Sequence, residues 1–197
     1  FDGEIAPVTF STRRGNVTVS VDEQPGAAKL DKIPTLRPAF AKDGTITAAN
    51  SSSISDGAAA LVMMKQSEAE KRGLKPMAKV VSTATNSIEP AKFTTAPIGA
   101  MNSALEQAGW NVNDVDLFEI NEAFAMVTMA AMREMDLPAE KVNVHGGACA
   151  LGHPLGASGA RIIVTLLHAL KNHGKSKGLA SLCIGGGEAT AIAVEML

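Results

Sequence analysis

The chain has 197 residues and no tyrosine, one tryptophan and six phenylalanines, so aromatics make up only 4% of it. So few rings leave no stacking surface for nucleic-acid bases. A basic excess is also missing. Lys and Arg number 18 against 20 Asp and Glu, a net charge of -2, which excludes the positive surface that nucleic acid or an anionic membrane calls for. No apolar run approaches the roughly 18 residues of a membrane span, and no charged-then-apolar segment opens the chain. There are two cysteines, Cys149 and Cys183. A domain of this size does not need a disulfide staple, so reduced thiols and a cytoplasmic (cytosolic or organellar) location are expected. The opening at Phe1, without a methionine, reads as a cut inside a longer protein.

What fills the gap is small and apolar: 46% hydrophobic residues and 18 glycines. That suits a packed domain with close backbone contacts. The first fifty residues read as loop-rich, with a strand signal at Val17–Val21 and punctuation at Pro25, Gly26, Pro34 and Pro38. Beyond Asp56, strands and helices alternate. Ala58–Met64 is a nearly unbroken apolar run, the mark of a strand buried on both faces. Further strands are expected at Ala78–Ser82, Val115–Ile120, Val142–Val144, Leu179–Ile184 and Ala189–Val194. Helices are expected at Ser67–Arg72, Ile98–Ala108, Ala123–Met135 and Ala157–Asn172. The last helix places Ile162, Ile163, Leu166, Leu167 and Leu170 on its apolar side. Interleaved helices imply an α/β fold with a largely parallel sheet covered on both faces. The final two strands are joined by glycines and should pair antiparallel.

Three polar or glycine-rich stretches fall at strand ends, the edge where open α/β sheets bind ligands. They are Asn121–Ala125, His145–Gly159 and Cys183–Glu188. The long stretch lacks the lysine of a phosphate loop and the spacing of a dinucleotide fingerprint. His145, Cys149 and His153 are spaced like metal ligands on one helix face, although the glycines and Pro154 argue against a helix there. His153 alone also reads as a packed loop histidine. Cys183 reads as a small buried hydrophobe, or as a thiol beside backbone N–H groups that Gly185–Gly187 leave uncovered, as an oxyanion hole requires. Asn121 suits a helix N-cap.

Taken together, Asn-Glu-Ala-Phe-Ala, Gly-Gly-Ala-x-Ala-Leu-Gly-His-Pro-x-Gly-Ala-Ser-Gly-Ala-Arg and Cys-x-Gly-Gly-Gly, in this order and spacing, resemble the thiolases. Asn50–Ala60 resembles the CoA-binding segment of that family, and Leu36–Phe40 its loop-domain signature. The likeness runs from Phe1 to Leu197. It implies the C-terminal half of such an enzyme: an α/β domain over 53–197 with a five-stranded mixed sheet and helices on both faces. Residues 1–52 would be a remnant of the loop domain and CoA-binding segment.

The resemblance also implies a reaction, the two-step Claisen condensation or thiolysis of acyl-CoA that relates acetyl-CoA to acetoacetyl-CoA. His153 matches the catalytic histidine, suited to take a proton near neutral pH, and Cys183 matches the second, acid/base cysteine. His153 and a water on Asn121 would serve one oxyanion hole and the N–H of Gly185 the other. Ala39, Phe40, Ala48, Ser52, Ile54, Ala123 and Phe124 match positions lining the CoA tunnel. Phe93 stands where bacterial biosynthetic members carry a pantetheine-contacting methionine. Nothing matches the nucleophilic cysteine, which in the family lies in the N-terminal half, and Cys149 reads as packing. The implied partners are CoA thioesters as substrates, that N-terminal half, and further copies in a dimer or tetramer. No metal or cofactor is expected. A degradative 3-ketoacyl-CoA member of broader chain length, and a non-catalytic CoA-binding or oligomerisation fragment, stay open as alternatives.

Overall fold

A computed structural model describes all of residues 1–197. Two sheets form. Strands β1 (Val8–Thr12) and β2 (Gly15–Val19) make an antiparallel hairpin. The main sheet holds β3 (Ala78–Ser87), β4 (Leu117–Ile120), β5 (Lys177–Cys183) and β6 (Glu188–Met196), in the order β3-β6-β5-β4. The helices are α1 (Gln24–Ala27), α2 (Gln66–Lys71), α3 (Ala96–Ala108), α4 (Ala125–Glu134), α5 (Ala148–Leu151) and α6 (Ser158–Asn172). None is long and apolar enough to cross a membrane.

The expected α/β class with a mixed sheet and helices on both faces holds. On one face α3 and α4 close the larger core over Phe118, Ile120, Leu179, Cys183 and the row Ala189, Ala191, Ala193 of β6. That alternating row of alanines meets Ala96, Ala100 and Ala104 of α3, all fully buried. Small residues on both sides let the helix lie close to the strand. On the other face α6 lays Ile162, Leu166, Ala169 and Leu170 over Leu117, Ala180 and Val194. Here β5 runs so near the helix that a Cβ on Gly178 would stand 2.9 Å from methyls of Leu166 and Leu170, so only glycine fits.

Three expectations are corrected. The main sheet has four strands, not five. Val142 makes only an isolated bridge to Phe118, because the chain turns at Asn143 with φ 46° and cannot extend further. Ala58–Met64 forms no strand and is largely exposed, Val62 at 88%. Its apolar pattern is strand-like, but no strand of this chain lies beside it to complete a ladder. The sheet is also mainly antiparallel: β6 inserts between β3 and β5 and runs against both, and only β4 and β5 are parallel. The antiparallel pairing of the last two strands is as expected. β3 is twice the expected length, since Thr83 and Thr85 continue the ladder to β6 as β-branched strand residues.

Candidate active site

The parallel pair β4 and β5 delivers two of the three motifs to one sheet edge. Asn121 follows β4 and donates its N–H to Ser181 O at 2.9 Å, two residues before Cys183 ends β5. The third motif arrives from the loop before α6. His153 is half-buried there, with Asn121 Nδ2 3.5 Å from its Nε2. Ser158, in the first turn of α6, places Oγ 2.6 Å from His153 Nδ1. Ser158 also donates its single hydroxyl proton to Pro154 O at 3.1 Å. Its Oγ must therefore accept from Nδ1–H, which leaves Nε2 as the basic nitrogen. Burial, then the positive charge of Arg161, holds the imidazole below its ordinary value, so it is neutral and able to accept a proton at neutral pH. Asn121 is buried, and its Oδ1 has no partner within the chain, a free acceptor beside this ring.

Cys183 is 6% exposed within the larger core, and burial pushes its thiol up from the ordinary range. It rests as a thiol. The turn that follows is closed by Gly187 N–H to Ile184 O and by Ile184 N–H to Glu188 O, at 3.1 and 2.7 Å. Gly185 is exposed, and its N–H makes no hydrogen bond within the chain. It is therefore available to an oxyanion.

The segment Asn50–Ile54 is strung between the two other loops. Ser52 donates N–H and Oγ to Ala123 O at 3.2 and 3.1 Å, and Ser51 bridges Phe124. His153 N–H donates to Ser53 O at 2.9 Å, and Ile54 bridges His153. Phe40 meets Phe124 edge to face, with ring centroids 6.0 Å apart. Of the eight positions matched to the CoA tunnel, Ile54 thus bridges His153, while Ser52 is tied to Ala123 and Phe40 to Phe124 in the neighbouring loop. Ala39 donates its N–H to Ile46 O at 2.7 Å, and Ala48 lies exposed in the same loop. Phe93 is partly buried in a turn that packs on α4, against the same core that holds Cys183.

The metal alternative for the long motif does not survive. His145 turns toward His173, ring centroids 5.6 Å apart, while His153 is held by Ser158, and no group of three metal-capable side chains forms. Cys149 is held protonated. Burial, reinforced by Glu122, pushes its thiol up to about 12.

Residue-by-residue reading missed the bracket around this edge. Glu122 accepts from Asn143 Nδ2 at 3.2 Å and from the N–H of Cys149 at 3.0 Å, and a side chain on Gly147 would collide with it. Asn143 accepts from Ile120 N–H at 2.8 Å and donates to Ile120 O at 2.9 Å. The left-handed φ of Asn143 is one that asparagine tolerates better than most residues. No spacing in the sequence points to that residue, because its partners lie over twenty positions away.

Residues 74–196 match the family model for the thiolase C-terminal domain, and residues 1–67 match that for the thiolase N-terminal domain. The chain belongs to the thiolase family. Among named thiolases, it is 52% identical over 198 residues to cytosolic acetyl-CoA acetyltransferase of Mus musculus, covering 99% of this chain and 50% of that protein. It superposes on the crystal structure of the Bacillus anthracis acetyl-CoA acetyltransferase with a TM-score of 0.96 at 45% identity, covering 100% of this chain and 50% of that one. The Acat5 thiolase from Ascaris suum, solved in complex with coenzyme A, matches with a TM-score of 0.87 at 43% identity, again over 100% of this chain and 50% of that one. The chain thus spans about half the length of these thiolases.

Proposed function

We propose that the chain is the C-terminal half of an acetyl-CoA acetyltransferase. Joined to a half that carries a nucleophilic cysteine, it converts two acetyl-CoA into acetoacetyl-CoA and CoA. The observation that carries this reading is the set of groups at one sheet edge: a neutral His153 with Nε2 as its basic nitrogen, Asn121 Nδ2 3.5 Å from it, and Cys183 followed by the open N–H of Gly185 on the next strand. The names of the mouse and Bacillus relatives support acetyl transfer, and the Ascaris complex supports CoA as the carrier. In this reading residues 1–52 are a remnant of the loop domain and CoA-binding segment, and 53–197 form the α/β domain. The exposed apolar residues Val62, Met63 and Met64 support a missing half that covers them.

Each step follows from the protonation states. His153 Nε2 takes the proton of the nucleophilic thiol. The thiolate attacks the acetyl carbonyl, the Gly185 N–H stabilises the oxyanion, and CoA leaves as a thiolate. The resting thiol of Cys183 gives that thiolate its proton and becomes the base that takes the α-proton of the second acetyl-CoA. His153, now protonated, and a water on Asn121 stabilise the enolate oxygen. The enolate carbon attacks the acyl-cysteine, acetoacetyl-CoA forms, and the freed nucleophile recovers its proton from His153. No metal or cofactor enters these steps. Rapid-quench trapping of acyl-enzyme from acetyl-CoA, with the two halves together, tests the reading. A labelled acyl group on a cysteine is the expected result, and no covalent acyl adduct under saturating acetyl-CoA overturns it.

A further inference from the structure

Strand β4 and helix α6 meet in two layers. In the outer layer Asn121 and Ser158 hold His153 between them. In the inner layer lie Glu119 and Arg161. Glu119 stands two residues before Asn121 on the same side of the strand, and Arg161 stands one turn after Ser158 on the same side of the helix. Glu119 Oε2 is 3.7 Å from Arg161 Nη1, and Glu119 is 2% exposed. Glu119 Oε1 and Arg161 Nη1 have no hydrogen-bond partner. A buried pair this imperfectly satisfied contributes little stability, and an apolar pair of similar volume would hold the helix as well. Leu166 and Leu170 already do so further along α6. The pair does something an apolar contact cannot: it sets a guanidinium and a carboxyl against each other between β4 and the first turn of α6.

We propose that Glu119 and Arg161 are positioning residues for the His153 base, locking the first turn of α6 against β4 so that Ser158 holds Nδ1–H and Nε2 faces the reacting thiol. The proposal rests on the acyl-transfer reading of His153. The charged groups around the pair come from every neighbouring element. Glu122 follows β4. Glu4 reaches in from the N-terminal segment, where its Oε2 accepts from Thr165 Oγ1 of α6 at 2.8 Å. Arg161 therefore faces three carboxyls, Glu119, Glu4 and Glu122. Burial pushes Glu119 up to about 8 against the pull of Arg161. The same guanidinium disfavours a proton on His153, so the pair acts on the base through charge as well as register.

The test uses the complete enzyme, both halves together, with isotope-labelled histidine and the variants Arg161→Met, Arg161→Lys and Glu119→Gln. Ring-nitrogen shifts of His153 report its tautomer without turnover, and acyl-enzyme formation is followed against pH and acetyl-CoA concentration. Arg161→Met is expected to slow acylation about tenfold or more, as a misplaced base does, while half-saturation by acetyl-CoA stays within about twofold. Its acid limb moves to higher pH and its tautomer becomes mixed. Arg161→Lys keeps the acid limb in place and recovers most of the rate. Glu119→Gln slows acylation several-fold and also mixes the tautomer. A folded Arg161→Met enzyme with the wild-type rate, acid limb and tautomer overturns the proposal, even if it melts earlier. If Arg161→Met does not fold, a wild-type rate and tautomer in Glu119→Gln overturns it instead. Should the wild-type enzyme form no acyl-enzyme, the acyl-transfer reading fails, and the ring-nitrogen shifts alone decide the role of the pair.

Discussion

Ser158 accepts a hydrogen bond from His153 Nδ1 at 2.6 Å while giving its own proton to Pro154 O, so the imidazole is held with Nε2 as its base. A serine in the first turn of a helix thereby settles which nitrogen of a loop histidine carries the lone pair. Replacing Ser158 with alanine removes the acceptor and lets the ring sample both tautomers. Acyl-enzyme formation should fall about tenfold, with little change in half-saturation by acetyl-CoA. His153→Ala should lose the full general-base contribution, about 10²–10⁴-fold. Rapid-quench kinetics on both variants checks this, and a Ser158→Ala rate equal to wild type would sink the tautomer argument.

The acid side of the pH profile should lie low. Burial and Arg161 hold His153 below its ordinary 6.5, so the base is in its active, neutral form throughout the neutral range. Acylation is lost only as pH falls through that lowered value. The measurement is the acyl-enzyme burst rate against pH. A half-maximum above the ordinary histidine value would contradict the environment described for His153.

Cys183→Ser should separate the two halves of the reaction. A serine hydroxyl ionises far above a thiol, so it cannot serve as the base that takes the α-proton. Condensation to acetoacetyl-CoA should fall about 10²–10⁴-fold. The acyl-enzyme burst should persist, because CoA is already a good leaving group as its thiolate. Loss of the burst in Cys183→Ser together with its survival in His153→Ala would reverse the two roles.

A polypeptide of these 197 residues alone should show no thiolysis of acetoacetyl-CoA, since neither of its cysteines is placed to act as the acyl acceptor. Cys149 is held as a thiol by burial and Glu122, and Cys183 is the buried acid/base candidate. Turnover by the pure chain, with its mass verified, would refute this.

Asn143→Ala should destabilise the fold by about 2–5 kcal/mol. It leaves the Ile120 N–H without its acceptor, and an unsatisfied buried donor costs about 1–3 kcal/mol. It also puts alanine at a φ of 46°, a left-handed strain of about 1–2 kcal/mol. Asn143→Gly relieves the strain but not the lost hydrogen bonds, so it should recover only part of the loss. Denaturant titration of the three proteins tests the division, and equal stability of Asn143→Ala and wild type would refute it.

The elements with strong local signals were legible as sequence. The 3.6-residue stripe of α6, the glycine-closed α3 and the turn between β5 and β6 each depend on neighbours within a few positions. The same holds for the three motifs, because each is a run of contiguous residues. What the chain could not disclose in one dimension is everything that needs a distant partner. Ala58–Met64 has the composition of a buried strand, yet no strand of this chain pairs with it, and hydrogen-bond partners are not written into the run itself. The insertion of β6 between β3 and β5 was equally hidden, since a strand's pattern records its buried faces and not its neighbours. The bracket of Glu122 and Asn143 and the meeting of Glu119 with Arg161 across 42 positions were decided by tertiary structure alone. The first depends on how the turn at Asn143 lies against the end of β4, and the second on the register of α6 against β4, which the packing of the whole core sets.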